Sequence, residues 1–195
     1  MKIAIISDIH ENIHNLVLAL EEIEKKKAEK ILFLGDFINN GVAKVLAASK
    51  IPVFAVWGNN DGDKVAITKT SLKEGSNMEM ADEHYDSIEL DGKKLFLTHY
   101  PVIAKSMAKS GDYDAVFYGH NHLKNKEKIG DCLVLNPGEL SAHKTGEATY
   151  AIYDTKTNDA EIFTLKNTIS LNTEKVKEAR EKIGFKYSKS KGHKY

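Results

Sequence analysis

Hydrophobic positions fall into a regular order along the first sixty residues. Lys2 to Ser7 is rich in Ile and barely alternates, which predicts a strand buried on both faces. A helical period follows, with Ile13, Leu16, Val17, Leu20 and Ile23 on one face and Asn12 as the N-cap. Lys30 to Leu34 reads as a second strand, Val42 to Ala48 as a short helix and Pro52 to Trp57 as a third strand. This β-α-β-α-β order is the pattern of parallel strands joined by right-handed crossovers. A polar helix is expected over Asp63 to Leu72.

The second half changes character. Tyr85 to Leu90 and Lys94 to Thr98 flank Asp91-Gly92, a pair that tolerates the positive φ of a tight turn and so predicts a hairpin. A helix over Pro101 to Ser110 leads to a strand over Ala115 to Tyr118. Two further hairpins are expected around Gly130-Asp131 and Asn158-Asp159. Parallel units in front and hairpins behind predict two packed sheets with helices outside.

At 195 residues the chain suits one domain. The domain should span 1–165, followed by a basic tail, 166–195, partly helical over Thr173 to Ile183 and loose beyond Gly184. From Lys166 onward there are nine Lys or Arg against three Asp or Glu, so the tail carries +6 and the rest of the chain −6. The tail is expected to lie outside the active site and to meet another subunit or a partner, which makes a homo-oligomer one expectation. The zero net charge of the whole gives no argument for nucleic acid or an acidic membrane. Nothing approaches the ~18 apolar residues of a spanning helix. Cys132, the single cysteine, can form no intrachain disulfide and agrees with a reducing cytoplasm.

Five short motifs fall where strands end. They are Asp8-Ile9-His10, Gly35-Asp36, Gly58-Asn59-Asn60-Asp61, Thr98-His99 and Gly119-His120-Asn121-His122. In open α/β sheets ligands gather at the carboxyl ends of strands, where all five would converge. Singly, each has an ordinary explanation as a turn, a cap or a hydrogen-bonded His; for all five to be ordinary at successive strand ends is implausible. Imidazole together with carboxylate suits a borderline first-row cation. Two cations about 3.5–4 Å apart would clamp the attacking and leaving oxygens of a displacement. Asp36 is the natural carboxylate between them.

In this order the motifs resemble those of the calcineurin-like metallophosphoesterases, in particular the small archaeal and bacterial phosphodiesterases of the YfcE type. The resemblance covers roughly residues 1 to 165. It implies a four-layer α/β/β/α sandwich. It also implies one metal on Asp8, His10, Asp36 and His122 and another on Asp36, Asn59, His99 and His120, manganese foremost and nickel, cobalt, iron(II) or zinc as alternatives. The implied reaction is hydrolysis of a small phosphodiester by a metal-bound hydroxide.

Two departures from the family pattern stand out. Many relatives carry a His directly after the Asn ligand, where it protonates the leaving group; here the residue is Asn60, which has no useful pKa. Many also have Gly after the lone His, where this chain has Tyr100 and Pro101. His143, in the loop after Asn136-Pro137-Gly138, is a candidate contact for the phosphate or an acid. His14 is expected to face water, His84 to have no partner, Trp57 to be core and Cys132 to be inert packing. Two other functions stay open: a phosphomonoesterase or nucleotidase, and a non-catalytic, Vps29-like interaction scaffold. A scaffold freed from metal binding should have lost several of the seven ligand residues, and all seven are present.

Overall fold

Strand β1 (Lys2–Ile6) sits inside a sheet and is covered on both faces, as its unalternating Ile run requires. The computed structural model describes residues 1–182. After β1 come α1 (Ile13–Lys25), β2 (Lys30–Phe33), α2 (Asn40–Ala47), β3 (Val53–Ala55), α3 (Lys64–Ser71) and β4 (Met78–Met80). The second half adds β5 (Tyr85–Leu90), β6 (Lys93–Thr98), α4 (Pro101–Ser110), β7 (Ala115–Phe117), β8 (Asn125–Ile129), β9 (Cys132–Asn136), β10 (Thr149–Asp154), β11 (Asp159–Thr164) and α5 (Glu174–Lys182).

The strands form two mixed sheets, ordered β11-β10-β1-β2-β3-β4 and β5-β6-β7-β9-β8. β1 to β4 run parallel, and β10 closes antiparallel on β1 with Ile3 opposite Tyr153. Period-two alternation then sorts side chains into layers. Ile3, Ile5, Leu32 and Leu34 face Leu95, Leu97, Phe117 and Leu135 of the second sheet. Ala4, Ile6, Ile31 and Phe33 turn the other way, onto α1 and α2. On the far side Phe96, Val116 and Val134 pack against Ala104 and Ala108 of α4. The result is the four-layer α/β/β/α sandwich. Helix α4 starts on Pro101 and stops at Gly111, whose φ of +80° ends the helix in the left-handed region.

Three elements differ from the sequence reading. Helix α1 is rotated: Leu16, Ala19 and Ile23 are buried with Asn12 and Asn15, whereas Ile13 and Val17 are 40% and 41% exposed. Strand β4 was not expected; its three residues pair with β3, but they are too few to show a period. The opening of the tail does not stand apart. Residues 167–172 cross the N-terminus of α1, where Asn15 receives the Ile169 amide at 3.0 Å and returns its own amide to the Ile169 carbonyl at 3.0 Å. The expected looseness beyond Gly184 lies outside the described residues. Among the described residues no helix is long and apolar enough to cross a membrane.

Candidate metal centre

The centre is built from backbone held in an unusual shape. Asp8, His10, Asp36, His120 and His122 all have positive φ, between 45° and 73°. Non-glycine residues rarely adopt that region, and such strain concentrates where side chains must be re-aimed. On a continued strand Asp8 and Ile9 would point to opposite faces. With the left-handed turn His10 Nε2 comes to 3.7 Å from Asp8 Oδ1.

The glycines of the motifs make room for this. Gly35, with φ of +94°, lies against the backbone of Gly58, and a Cβ on it would come within 2.5 Å of the Gly58 nitrogen. A Cβ on Gly119 would run into the Ser7 hydroxyl and the Asp8 carboxylate. Asp61 fixes the turn between them. Its carboxylate accepts the amides of Gly58 at 2.6 Å and Ile38 at 3.0 Å.

Two donor sets meet at Asp36. On one side His10 Nε2 lies 3.2 Å from Asp36 Oδ2 and 3.7 Å from Asp8 Oδ1, and His122 Nε2 lies 3.4 Å from Asp8 Oδ1. On the other, Asp36 Oδ1 is 3.6 Å from His99 Nε2, and Asn59 Oδ1 is 2.9 Å from His99 Nε2 and 2.8 Å from His120 Nδ1. All seven expected ligand residues are thus brought together. Asp8, Asp36 and His99 are buried at the base, and His10, His120 and His122 form partly exposed walls.

The donor set has the chemistry of a site that could hold a cation. His99 Nδ1 lies 2.7 Å from the Leu34 carbonyl, an acceptor, so Nδ1 carries the proton there. Nε2 then faces the Asn59 side-chain oxygen at 2.9 Å, an arrangement that a cation between two acceptors would satisfy. His122 Nδ1 likewise donates to Glu139 at 2.6 Å, leaving Nε2 free to ligate. Asp8 Oδ1 and His10 Nε2 are buried and make no well-aligned hydrogen bond, although His10 Nε2 lies 3.2 Å from Asp36 Oδ2. Buried polar atoms without partners are rare and costly, and a cation is the partner these two fit.

Electrostatics point the same way. Burial disfavours a charged His10, but the carboxylates of Asp36 and Asp8 outweigh it and lift its pKa to about 9. Burial alone would raise Asp36; His10, His99 and the Asn60 donors instead hold it well below the usual carboxylate range. His120 is pushed down, first by burial and then by His99. The carboxylates favour a positive charge beside them, and a divalent cation would compete with the His10 proton for that place.

Of the two other candidate residues, Asn60 lies against Asp36, and His143 lines a cavity together with His10. Asn60 gives its backbone amide to Asp36 Oδ1 at 2.9 Å and its side-chain amide to Asp36 Oδ2 at 2.8 Å. His143 Nδ1 accepts the Leu171 amide at 3.2 Å, tying its loop to the segment 167–172. Tyr100 meets His120 edge-on at 5.3 Å. His84 does have a partner: its Nδ1 binds the Trp57 carbonyl at 3.0 Å. His14 faces water, and its Nε2 donates to the Asn167 carbonyl at 3.0 Å. Trp57 and Cys132 are buried, and burial raises the Cys132 thiol to about 11.

Sequence reasoning missed Glu139. It is fully buried, accepts from Ser141 and Thr145 as well as His122, and is held at about 2 because those donors outweigh the effect of burial. The available signal was a lone Glu directly after Asn136-Pro137-Gly138, in the loop that carries the candidate His143.

Comparison with known proteins agrees with this geometry. The profile described as the calcineurin-like phosphoesterase superfamily domain matches residues 1–158. Phosphodiesterase MJ0936 of Methanocaldococcus jannaschii is 36% identical over 158 residues, 80% of this chain and 94% of that protein. Phosphodiesterase YfcE of Escherichia coli is 27% identical over 163 residues, 79% of this chain and 88% of that protein. A solved structure described as a novel archaeal phosphodiesterase superposes with a TM-score of 0.78 at 33% identity, covering 85% of this chain and all of that one. A Vps29 structure from Entamoeba histolytica reaches 0.58 at 15% identity, a likeness of fold alone. The chain belongs to the calcineurin-like phosphoesterase superfamily.

Proposed function

We propose that this phosphoesterase hydrolyses small phosphodiesters with two divalent cations. The observation that carries the reading is Asp36, whose two oxygens each face a separate set of imidazole and oxygen donors. Asp8, His10, Asp36 and His122 would hold one cation; Asp36, Asn59, His99 and His120 the other. Bound there, the cations would supply Lewis acidity and a water acidified towards a pKa of ~7. Manganese is our assignment for this mixed donor set, with nickel, cobalt, iron(II) and zinc as alternatives.

The chain's own residues do the positioning. Asn60 holds the Asp36 carboxylate by both oxygens. Glu139 sets the ring of His122 and its tautomer. Ser7 and the His120 amide both donate to Asp8 Oδ2, at 2.7 and 3.0 Å, which leaves Oδ1 for a cation. No imidazole follows Asn59 to protonate a leaving group, which favours diesters with acidic leaving groups over alkyl monoesters. A buried free thiol supports a cytoplasmic location.

The test is turnover of bis(p-nitrophenyl) phosphate by protein stripped of metal and reloaded with manganese. Asp36→Asn should lower turnover by at least ~100-fold and lose at least one cation, since it removes the charge between the two sets. Full metal content and normal turnover in that variant would contradict the reading. A Vps29-like scaffold would show neither metal uptake nor turnover in the parent protein.

A further inference from the structure

A cavity of about 430 Å³ lies beside the metal centre, and His10 lines it. One wall is the start of α1. The other is the segment 167–172, which lies past the end of the family match at residue 158. That segment is pinned by buried groups. Asn12 and Asn15, 5% and 0% exposed, both donate to the Ile169 carbonyl at 3.0 Å, and Asn15 accepts the Ile169 amide. Ser170 donates to the Ala142 carbonyl and the Leu171 amide binds His143.

Several of the cavity's polar side chains are already bonded, and the unpartnered Nε2 of His10 belongs to the candidate metal centre. His14 binds the Asn167 carbonyl, His143 the Leu171 amide, and Glu11 accepts from Asn39. Three branched aliphatic side chains remain open to water: Ile13, Ile169 and Leu171, at 40%, 55% and 48% exposure. No Lys or Arg is among the described residues lining the space, and Glu11 would repel a second phosphate. A cavity of this character takes an uncharged apolar group. It shares His10 with the metal centre, so that group is carried by the molecule whose phosphate sits there.

We propose that the segment 167–172 builds a specificity subsite, in which Ile13, Ile169 and Leu171 receive the apolar ester group of a phosphodiester. This rests on the phosphodiesterase reading and adds a substrate class to it: diesters with one aryl or branched alkyl substituent. Leu171 and Ile169 anchor the segment through their backbones, so their side chains can be exchanged without removing those bonds.

The experiment uses the full manganese-loaded chain and two diesters with the same leaving group, p-nitrophenyl phenyl phosphate and p-nitrophenyl methyl phosphate. The parent protein should favour the phenyl ester by about tenfold in kcat/KM, the scale set by one apolar group in a pocket. Leu171→Ser and Ile169→Ser should each cut that preference severalfold, mainly by raising KM for the phenyl ester. Calorimetric binding of phenylphosphonate against methylphosphonate reads the same contact without turnover and should fall in parallel. Turnover of both diesters, with a preference that neither substitution changes, overturns the subsite and leaves the phosphodiesterase reading intact. Turnover of neither overturns both.

Discussion

The Nδ1–H of His122 donates to the carboxylate of Glu139 at 2.6 Å, and Glu139 is fully buried. The bond joins the loop after β7 to the loop after β9 and fixes which ring nitrogen faces Asp8. Glu139→Gln keeps the shape but removes the charge that orients the imidazole. Such partners are typically worth about 10–100-fold in metal affinity or activity. Titrating the stripped variant with manganese should show that loss in one of the two sites; parent-like affinity in both would separate Glu139 from the centre.

Much of the fold was legible because its signals are local. The Ile run of β1, the Asp91-Gly92 turn and the Pro101 start of α4 each constrain the backbone within a few residues. The candidate donor set was legible because each member follows a strand. The features that escaped depend on distant segments. Asn15 is polar, and a helical period assigns it to water; it is buried because Leu140 and Ile169, more than 120 positions away, bring carbonyls to its amide. The left-handed backbone at Asp8 and His122 leaves no compositional trace, since neither residue is the Gly that such a φ favours.

Asn60 is where a proton donor is missing. Asn60→His keeps the backbone amide that binds Asp36 Oδ1 and places an imidazole beside the leaving group. Activity towards alkyl diesters should rise relative to p-nitrophenyl diesters, by as much as ~100-fold if the imidazole acts as a general acid. Kinetics with a series of leaving groups of graded pKa measure this as a flatter dependence. An unchanged slope would show that the new imidazole does not reach the leaving oxygen.

Among the shifted groups of the metal-free chain, His10 and Glu139 bound the pH response from opposite sides. His10 rises to about 9 from an ordinary value of 6.5, so its contribution is complete below 6.5 and is lost as pH climbs through 9. Glu139 is held at about 2 against an ordinary 4.5, so its contribution is present above 4.5 and is lost as pH falls through 2. Urea unfolding of the stripped chain should therefore show greatest stability between about 4.5 and 6.5. Manganese should move the maximum to higher pH, because it binds the deprotonated His10. A metal-free profile that keeps rising from pH 6.5 to 9 would contradict the protonated His10.

Two truncations separate the pinned segment from the residues C-terminal to it. Ending the chain after Asn172 leaves every bond to Asn12, Asn15 and His143 in place, and stability should stay near that of the full chain. Ending it after Lys166 removes the Ile169 partners of two buried asparagines. An unsatisfied buried group costs about 1–3 kcal/mol, so a loss of roughly 2 kcal/mol or more is expected in urea unfolding. Equal stability of the two truncations would mean that the segment is dispensable.

The proposed chemistry stands or falls on two cations sharing Asp36. Crystals grown with manganese and measured at its absorption edge locate each ion by its anomalous signal. Two peaks are predicted about 3.5–4 Å apart. One should lie among Asp8, His10, Asp36 and His122, the other among Asp36, Asn59, His99 and His120. A single peak, or none within reach of Asp36, would contradict the dinuclear centre.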